Sequence, residues 1–279
     1  MLQRSFIHLP GIGPTTERKL WERGIQSWAQ LHSEAPHVFK EAKAGVVRDA
    51  LERSDRAYGS RDFSFFSSAL PRDQLWRLIP EVSLDDVAFL DIETTGLGFP
   101  PAAHSTTITF YYQGRVLQEH DRQAKLELIR AVTADCSLLV TFFGQAFDVP
   151  FLTHEYGHRF EMPHLDLCFW LKRLGYRGGL KKVQKRFSSI PLRTSMDIDG
   201  YDAVRLWRLH ERGVSGALET LLAYNAEDTV VLEPLLVEAF NLEVAKNPEH
   251  GLKPLASRPW PALPTEVRPE IYELLRGLG

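Results

Sequence analysis

Apolar and polar positions recur with two different periods along this chain, and the change of period divides it. From about residue 84 to 245, short apolar runs of strand length are interleaved with stretches of helical spacing. VAFLDIE (87–93) is one such run. STTITFYYQ (105–113) is rich in β-branched and aromatic residues, Gly114 supplies a turn, and RVLQEH (115–120) can pair back as a hairpin. RQAKLELIRAVTA (122–134) sets Leu126, Ile129 and Val132 on one helical face, and SLLVTFF (137–143) predicts another buried strand. The rest is helical, through LKKVQKRF (180–187), DAVRLWRLHERG (202–213) and GALETLLAYNAEDTVVLEPLLVEAF (216–240). Strands in a hairpin first, then strand alternating with helix, predict an α/β domain with a mixed sheet flanked by helices.

The flanks read differently. Residues 1–33, with LPGIGPTTERKLWERGIQSWAQL, predict helix, glycine turn and helix. Residues 34–83 predict a helical and irregular connector containing Pro71 and Pro80. Residues 246–279 form a tail broken by prolines and draped or flexible, with a short final helix over TEVRPEIYELLRGL.

A length of 279 residues suits one sizeable domain plus a smaller one. No apolar run approaches the ~18 residues of a membrane span. The start, MLQRSFIHLPGIG, lacks the apolar core of a signal peptide, so a cytoplasmic protein with no membrane partner is expected. Cys136 and Cys168 stand alone among apolar neighbours and read as free thiols of a reducing compartment. The net charge of −3 makes the chain no polycation, so any affinity for nucleic acid must come from local patches.

Three acidic stretches change the picture. In DIE, the alternation of a strand puts Asp91 and Glu93 on one face, where both can reach one ion. FDVPFL carries Asp148 at a loop-to-helix junction, where an N-cap is the plain structural role. In YNAEDTVVL, Tyr224 and Asp228 are four apart and share a helical face. Four clustered carboxylates repel one another unless cations neutralise them, and hard divalent ions such as Mg²⁺ or Mn²⁺ take oxygen ligands. Two such ions about 4 Å apart can clamp the attacking and leaving oxygens of a phosphodiester displacement.

DIETTGL, FDVPFL and YNAED, in this order, resemble the three signature motifs of the DnaQ-like (DEDD) 3′–5′ exonucleases. The wider layout, with HLDL (164–167), GGLKK (178–182) and DGYDAVRLW (199–207), is similar to a bacterial and archaeal branch of ribonuclease-H-like exonucleases. The resemblance implies a ribonuclease-H-like fold over 84–245 and two-metal hydrolysis at a single-stranded 3′ end. Asp91 would bridge both metals, Glu93 and Asp228 would complete the first site, and Asp148 would act in the second motif through a water on the metal. Tyr224, four before Asp228, matches the tyrosine subclass, whose tyrosine orients the attacking water; Ala223 stands where the histidine subclass has His. Thr94, Thr95 and Leu97 would lie against the terminal nucleotide. One departure is Phe143, which falls where that branch commonly has Asn before Gly. It raises one rival, a nucleic-acid-binding protein with weakened or lost catalysis; a structure-specific endonuclease on the same fold is a second.

Between Asp166 and Asp197 no acidic residue occurs, while Lys172, Arg173, Arg177, Lys181, Lys182, Lys185, Arg186 and Arg193 do. Beside a carboxylate centre such a stretch suits an entering phosphate backbone, with Tyr176 and Trp170 as stacking residues, Trp170 equally as core; a solvated helix face is the alternative. Gly11-Ile-Gly13 opens a helix whose amides could hold a phosphate, with Arg18 and Lys19 nearby, and the segment resembles a helix-hairpin-helix element. Such hairpins favour a DNA partner. DIDGYDAV (197–204) reads as a turn with a helix cap rather than a cation loop, and His154, Glu155 and His158 do not have zinc-site order. His164 and Asp166 stay open between a supporting and a structural role.

Overall fold

The computed structural model describes residues 1–192 and 198–277; Arg193 and Asp197 lie outside them. Two compact units are distinguished, Met1–Ser83 with Val244–Lys253, and Leu84–Glu243 with the tail from Pro254.

The first unit is helical. Its helices are α1 (Pro14–Glu22), α2 (Trp28–Val38), α3 (Glu41–Gly59) and α4 (Phe63–Ala69), followed by a 3-10 stretch, Arg72–Glu81. Pro14 starts α1 because its missing N–H would have no helical partner there. Ser27 caps α2 by accepting from the Gln30 amide. A buried ion pair organises the unit: Arg77 Nη1 and Nη2 donate to Glu17 at 2.7 and 2.8 Å. The same carboxylate accepts from the amides of Phe6 and Ile7. His8 is buried against Trp28 and Phe66, with Nε2 at 3.0 Å from Ser54 Oγ.

The second unit is built on five strands, β1 (Val87–Thr94), β2 (Ser105–Tyr112), β3 (Arg115–Glu119), β4 (Leu138–Thr141) and β5 (His164–Asp166). Their order is β3-β2-β1-β4-β5. β1 and β2 pair antiparallel, as do β2 and β3, whereas β4 runs parallel to both β1 and β5. Gln113 and Gly114, both at positive φ, close the β2–β3 turn, as a tight hairpin twisting with its strands requires.

Helices cover both faces. α5 (Arg122–Asp135) and α6 (Asp148–Tyr156) pack Ile129, Val132, Phe151 and Leu152 onto Ala88, Leu90 and Ile92 of β1 and onto Ile108 and Phe110 of β2. The inward face of α5 differs from the sequence expectation in one respect: Leu128 packs on the core, and Leu126 is half-exposed. Lys125 is buried instead, its ammonium donating to the Ser105 carbonyl. After β5 come α7 (Leu167–Arg173), α8 (Leu180–Gln184), α9 (Gly200–Glu211), α10 (Ala217–Val230), α11 (Leu232–Lys246) and α12 (Pro269–Gly277). Asp199 caps α9 in a reciprocal box with Asp202. α10 is buried over nearly its whole length, and Leu221 and Tyr224 pack with α9 and α12. The proline-rich tail is tied down where Arg258 meets Glu233 and Asp85. Both cysteines are free thiols. Among the described residues no helix is long and apolar enough to cross a membrane.

Candidate functional site

The opposite face of β1 carries the chemistry. Register pairs Asp91 with Thr109 and Glu93 with Thr107, so two half-buried carboxylates and two buried hydroxyls share one face. Asp228, from α10, arrives above them. Carboxylate oxygens of Asp91, Glu93 and Asp228 all lie within 4.8 Å of one another.

Asp148 approaches from the next strand connection. β1 pairs with β4 only through Val87–Phe89, and beyond that point the Ile92 amide donates to Asp148 Oδ1 at 3.2 Å. Asp148 is therefore the first residue of α6 and not its N-cap, which is Phe147. Its carboxylate turns toward the strand that bears Asp91 and Glu93.

Electrostatics mark these groups off. Burial pushes Glu93 well above the usual carboxylate range, and the charges of Asp91 and Asp148 push it further, against the opposing pull of Lys181. Asp148 is also raised well above its ordinary value, first by burial and then by Asp91, while amide donors and Asp166 act more weakly in opposite senses. The donor set is all oxygen, crowded and mutually repulsive, which fits a hard divalent cation. Asp91, Glu93 and Asp228 are the residues that would hold it, with Asp148 beside them.

Asn225 was not singled out in the sequence although it lies inside YNAED. It is fully buried, and its Nδ2 donates to Asp91 Oδ2 at 2.6 Å. Its Oδ1 accepts from the hydroxyls of Thr107 and Thr109. Gln118 Nε2 in turn donates to Thr109 and to the Leu222 carbonyl, both at 2.8 Å. Two hydroxyl donors on one oxygen fix which end of the amide faces Asp91. The carboxylate is thereby aimed by a network spanning β1, β2, β3 and α10.

The other expected residues are distributed unevenly. Tyr224 is buried on α10, and Lys181 Nζ stands 4.9 Å from its ring centroid. Lys181 thus joins the site, whereas Lys182 is exposed and lays its stem against Gly178. Trp170 is core, its Nε1 donating to Glu243, and Tyr176 stacks on Phe187. The Thr94 hydroxyl donates to the Gly96 carbonyl at 2.7 Å, and Thr95 Oγ1 accepts from the His104 amide, so both hydroxyls shape the turn that leaves Leu97 91% exposed. Gly11 and Gly13 belong to the first unit. Gly11 has φ +68° and its carbonyl accepts from Lys43 Nζ, while Gly13 is the N-cap of α1.

Asp166, left open by the sequence, is a buried hub. Its carboxylate accepts from the amides of Phe143, Gln145 and Cys168, each at 2.9 Å. Burial raises its proton affinity and these amides oppose that rise. It holds the loop between β4 and α6 that presents Asp148. Gly144 in that loop admits no side chain, because a Cβ would sit 2.5 Å from Thr141 Oγ1. His164 is tucked behind, with Nε2 at 2.8 Å from the same hydroxyl and its basicity pushed down by burial to about 4.

This geometry can be set beside known proteins. A solved structure of the family B DNA polymerase from the hyperthermophilic archaeon Pyrobaculum calidifontis is similar over 57% of this chain and 26% of its own, at 14% identity and a TM-score of 0.41. The match thus spans about a quarter of that polymerase chain. No curated protein matches the sequence. The family model of the RNase_H superfamily matches residues 88–240, more than half of the chain and the whole span from β1 into α11. This match, over a five-stranded mixed sheet with helices on both faces and an acidic cluster between its central strand and α10, establishes that the chain belongs to the RNase_H superfamily.

Proposed function

We propose that the protein is a divalent-metal-dependent 3′–5′ exonuclease of the DEDD type, tyrosine subclass, acting on single-stranded nucleic acid with DNA preferred over RNA. The observation that carries this reading is the convergence of Asp91, Glu93 and Asp228 within 4.8 Å, with Asp148 beside them, on an RNase_H-superfamily sheet. Two ions, Mg²⁺ or Mn²⁺, would activate water and stabilise the leaving oxygen of a phosphodiester.

The chain's own contribution is placement. Asn225 holds one Asp91 oxygen, so the rest of that carboxylate faces the cluster in a set direction. In this reading Tyr224 orients the attacking water, and Lys181 steadies the charge near Glu93. Leu97, standing out from its turn, is assigned to the terminal base, with Thr94 and Thr95 shaping the turn beneath it. Lys182 and its basic neighbours guide the phosphate backbone. Gly11 and Gly13, with Arg18 and Lys19, supply a second backbone grip at the start of α1, and the free thiols suit a cytoplasmic enzyme.

A second reading is favoured by Phe143: the fold binds nucleic acid and turns over weakly or not at all. A time course on a 5′-labelled single-stranded DNA oligonucleotide, with Mg²⁺, Mn²⁺ or EDTA, separates the two. The expected result is a ladder shrinking from the 3′ end, absent in EDTA and in Asp91→Ala, slower on the RNA twin and absent on a circular strand. Cleavage of the circle would favour an endonuclease, and retained binding without shortening would favour the inactive module.

A further inference from the structure

Phe143 combines three features that rarely coincide. It is a bulky residue at φ +70°, in the left-handed region. The residue is 49% exposed. And its backbone is held there by a buried carboxylate, since its amide donates to Asp166 Oδ1 at 2.9 Å. A side chain with a Cβ is strained in this conformation, which Asn tolerates better. The position in this turn where a side chain would collide is Gly144, not the one before it.

The same carboxylate places a second exposed ring. Asp166 also accepts from the amide of Cys168 at 2.9 Å and from that of Phe169, at the start of α7. Phe169 is 44% exposed, and its ring centroid lies 5.9 Å from that of Phe143 with 41° between the planes. One buried acid thus sets two aromatic rings side by side at the surface, and its charge reaches Asp148 of the acidic cluster. Leu167, Trp170 and Leu171 face the core, so α7 presents Phe169 outward with Lys172 one turn on. From Leu167 to Leu192 the chain has seven Lys and Arg residues and no acid.

We propose that Phe143 and Phe169 form a stacking platform for an unpaired nucleobase of the strand whose end enters the acidic site. The inference rests on the nuclease reading above and adds where the strand is held. Exposed aromatic faces beside cations bind single strands without regard to sequence, because every base has a π-face and every link a phosphate. A duplex, whose bases are already stacked, gains little from such a platform.

The test is made in the full chain on an Asp91→Ala background with Mg²⁺, where no strand is consumed. A single-stranded oligonucleotide carrying 2-aminopurine is titrated by fluorescence quenching, and a fluorescein-labelled single strand and duplex by anisotropy. Phe169→Ala and Phe143→Asn should each weaken single-strand binding about tenfold and reduce the quenching, with duplex affinity unchanged. Phe143→Asn should at the same time raise the melting temperature by about 2–4 °C, because it relieves the left-handed backbone. Equal binding by parent and variants would overturn the platform and leave the nuclease reading intact. A lowered melting temperature in Phe143→Asn would also overturn it, since the ring would then be serving the fold. A parent that binds neither strand would overturn both.

Discussion

Glu17 and Glu93 are carboxylates hemmed in by protein, one in each compact unit, and their surroundings are opposite in sign. Glu17 is met by a buried guanidinium, a serine hydroxyl and two backbone amides. Glu93 is met chiefly by two more carboxylates, Asp91 and Asp148. A fold that uses an acid as internal scaffolding supplies the counter-charge itself. One that gathers acids from a strand and two helices around one point leaves the counter-charge to be brought by a ligand, and accepts repulsion until it arrives.

The two regions should differ most at Arg77. Arg77→Met strands a buried carboxylate and should cost about 3–5 kcal/mol in urea unfolding followed by tryptophan fluorescence. Glu93→Gln in EDTA should leave stability unchanged or raise it. A mild Arg77 variant together with a damaging Glu93 variant would reverse the lesson.

Acid and base should separate the regions next. Burial, with Arg77 nearby, pushes His8 down from 6.5 to about 4. Its folded value lies below its unfolded one, so its contribution is fully present above about pH 6.5 and is lost as pH falls toward 4. That contribution is on the order of 3 kcal/mol. Glu93 and Asp148 are raised above 4.5 and 3.8, so their folded forms hold protons longer than the unfolded chain does. Their stabilisation belongs to the acid side and fades as pH climbs above those ordinary values. Hydrogen exchange across pH 4–8 in EDTA should show α2 and α3 protected best at the upper end, and β1 and the start of α6 at the lower. Mn²⁺ should restore the latter at pH 8. The same slope in both regions would remove the distinction.

A weaker effect is confined to the acidic site. Asn225→Ala should weaken Mn²⁺ binding about 10–100-fold in calorimetric titration, as loss of a group that orients a metal-binding carboxylate does. Thr109→Val, which removes one of two hydroxyls on the Asn225 amide, should do less. Unchanged Mn²⁺ affinity in both would mean that Asp91 needs no aiming.

Much of this was legible beforehand. Strand alternation alone puts Asp91 and Glu93 on one face, and helical spacing puts Tyr224 over Asp228. The strands of the hairpin and the apolar run 137–143 were visible because buried strands exclude polar residues from one face at least. Lys125 was hidden from such reading: a long apolar stem lets a lysine occupy a core position while its ammonium finds a backbone carbonyl. Asp148 looked like an N-cap because a carboxylate before a helix usually is one; its actual partner, the Ile92 amide, lies 56 residues away in sequence. Asn225 was invisible, and the role of Asp166 stayed open, for the same reason, since what they do depends on donors and acceptors contributed by residues distant in sequence.

The order and spacing of residues determined which side chains share a face, four of the five strands, and which acids are available for metal chemistry; the short edge strand β5 was not among them. These are local matters, set by the two-residue and 3.6-residue repeats of the backbone. Tertiary structure alone decided that Asp228 crosses to Asp91, that Asn225 aims it, and that one buried carboxylate sets Phe143 and Phe169 together. Those outcomes depend on packing α10 and the β4–α6 loop against strands distant in sequence, where distance and burial, rather than residue type, set the strength of each contact.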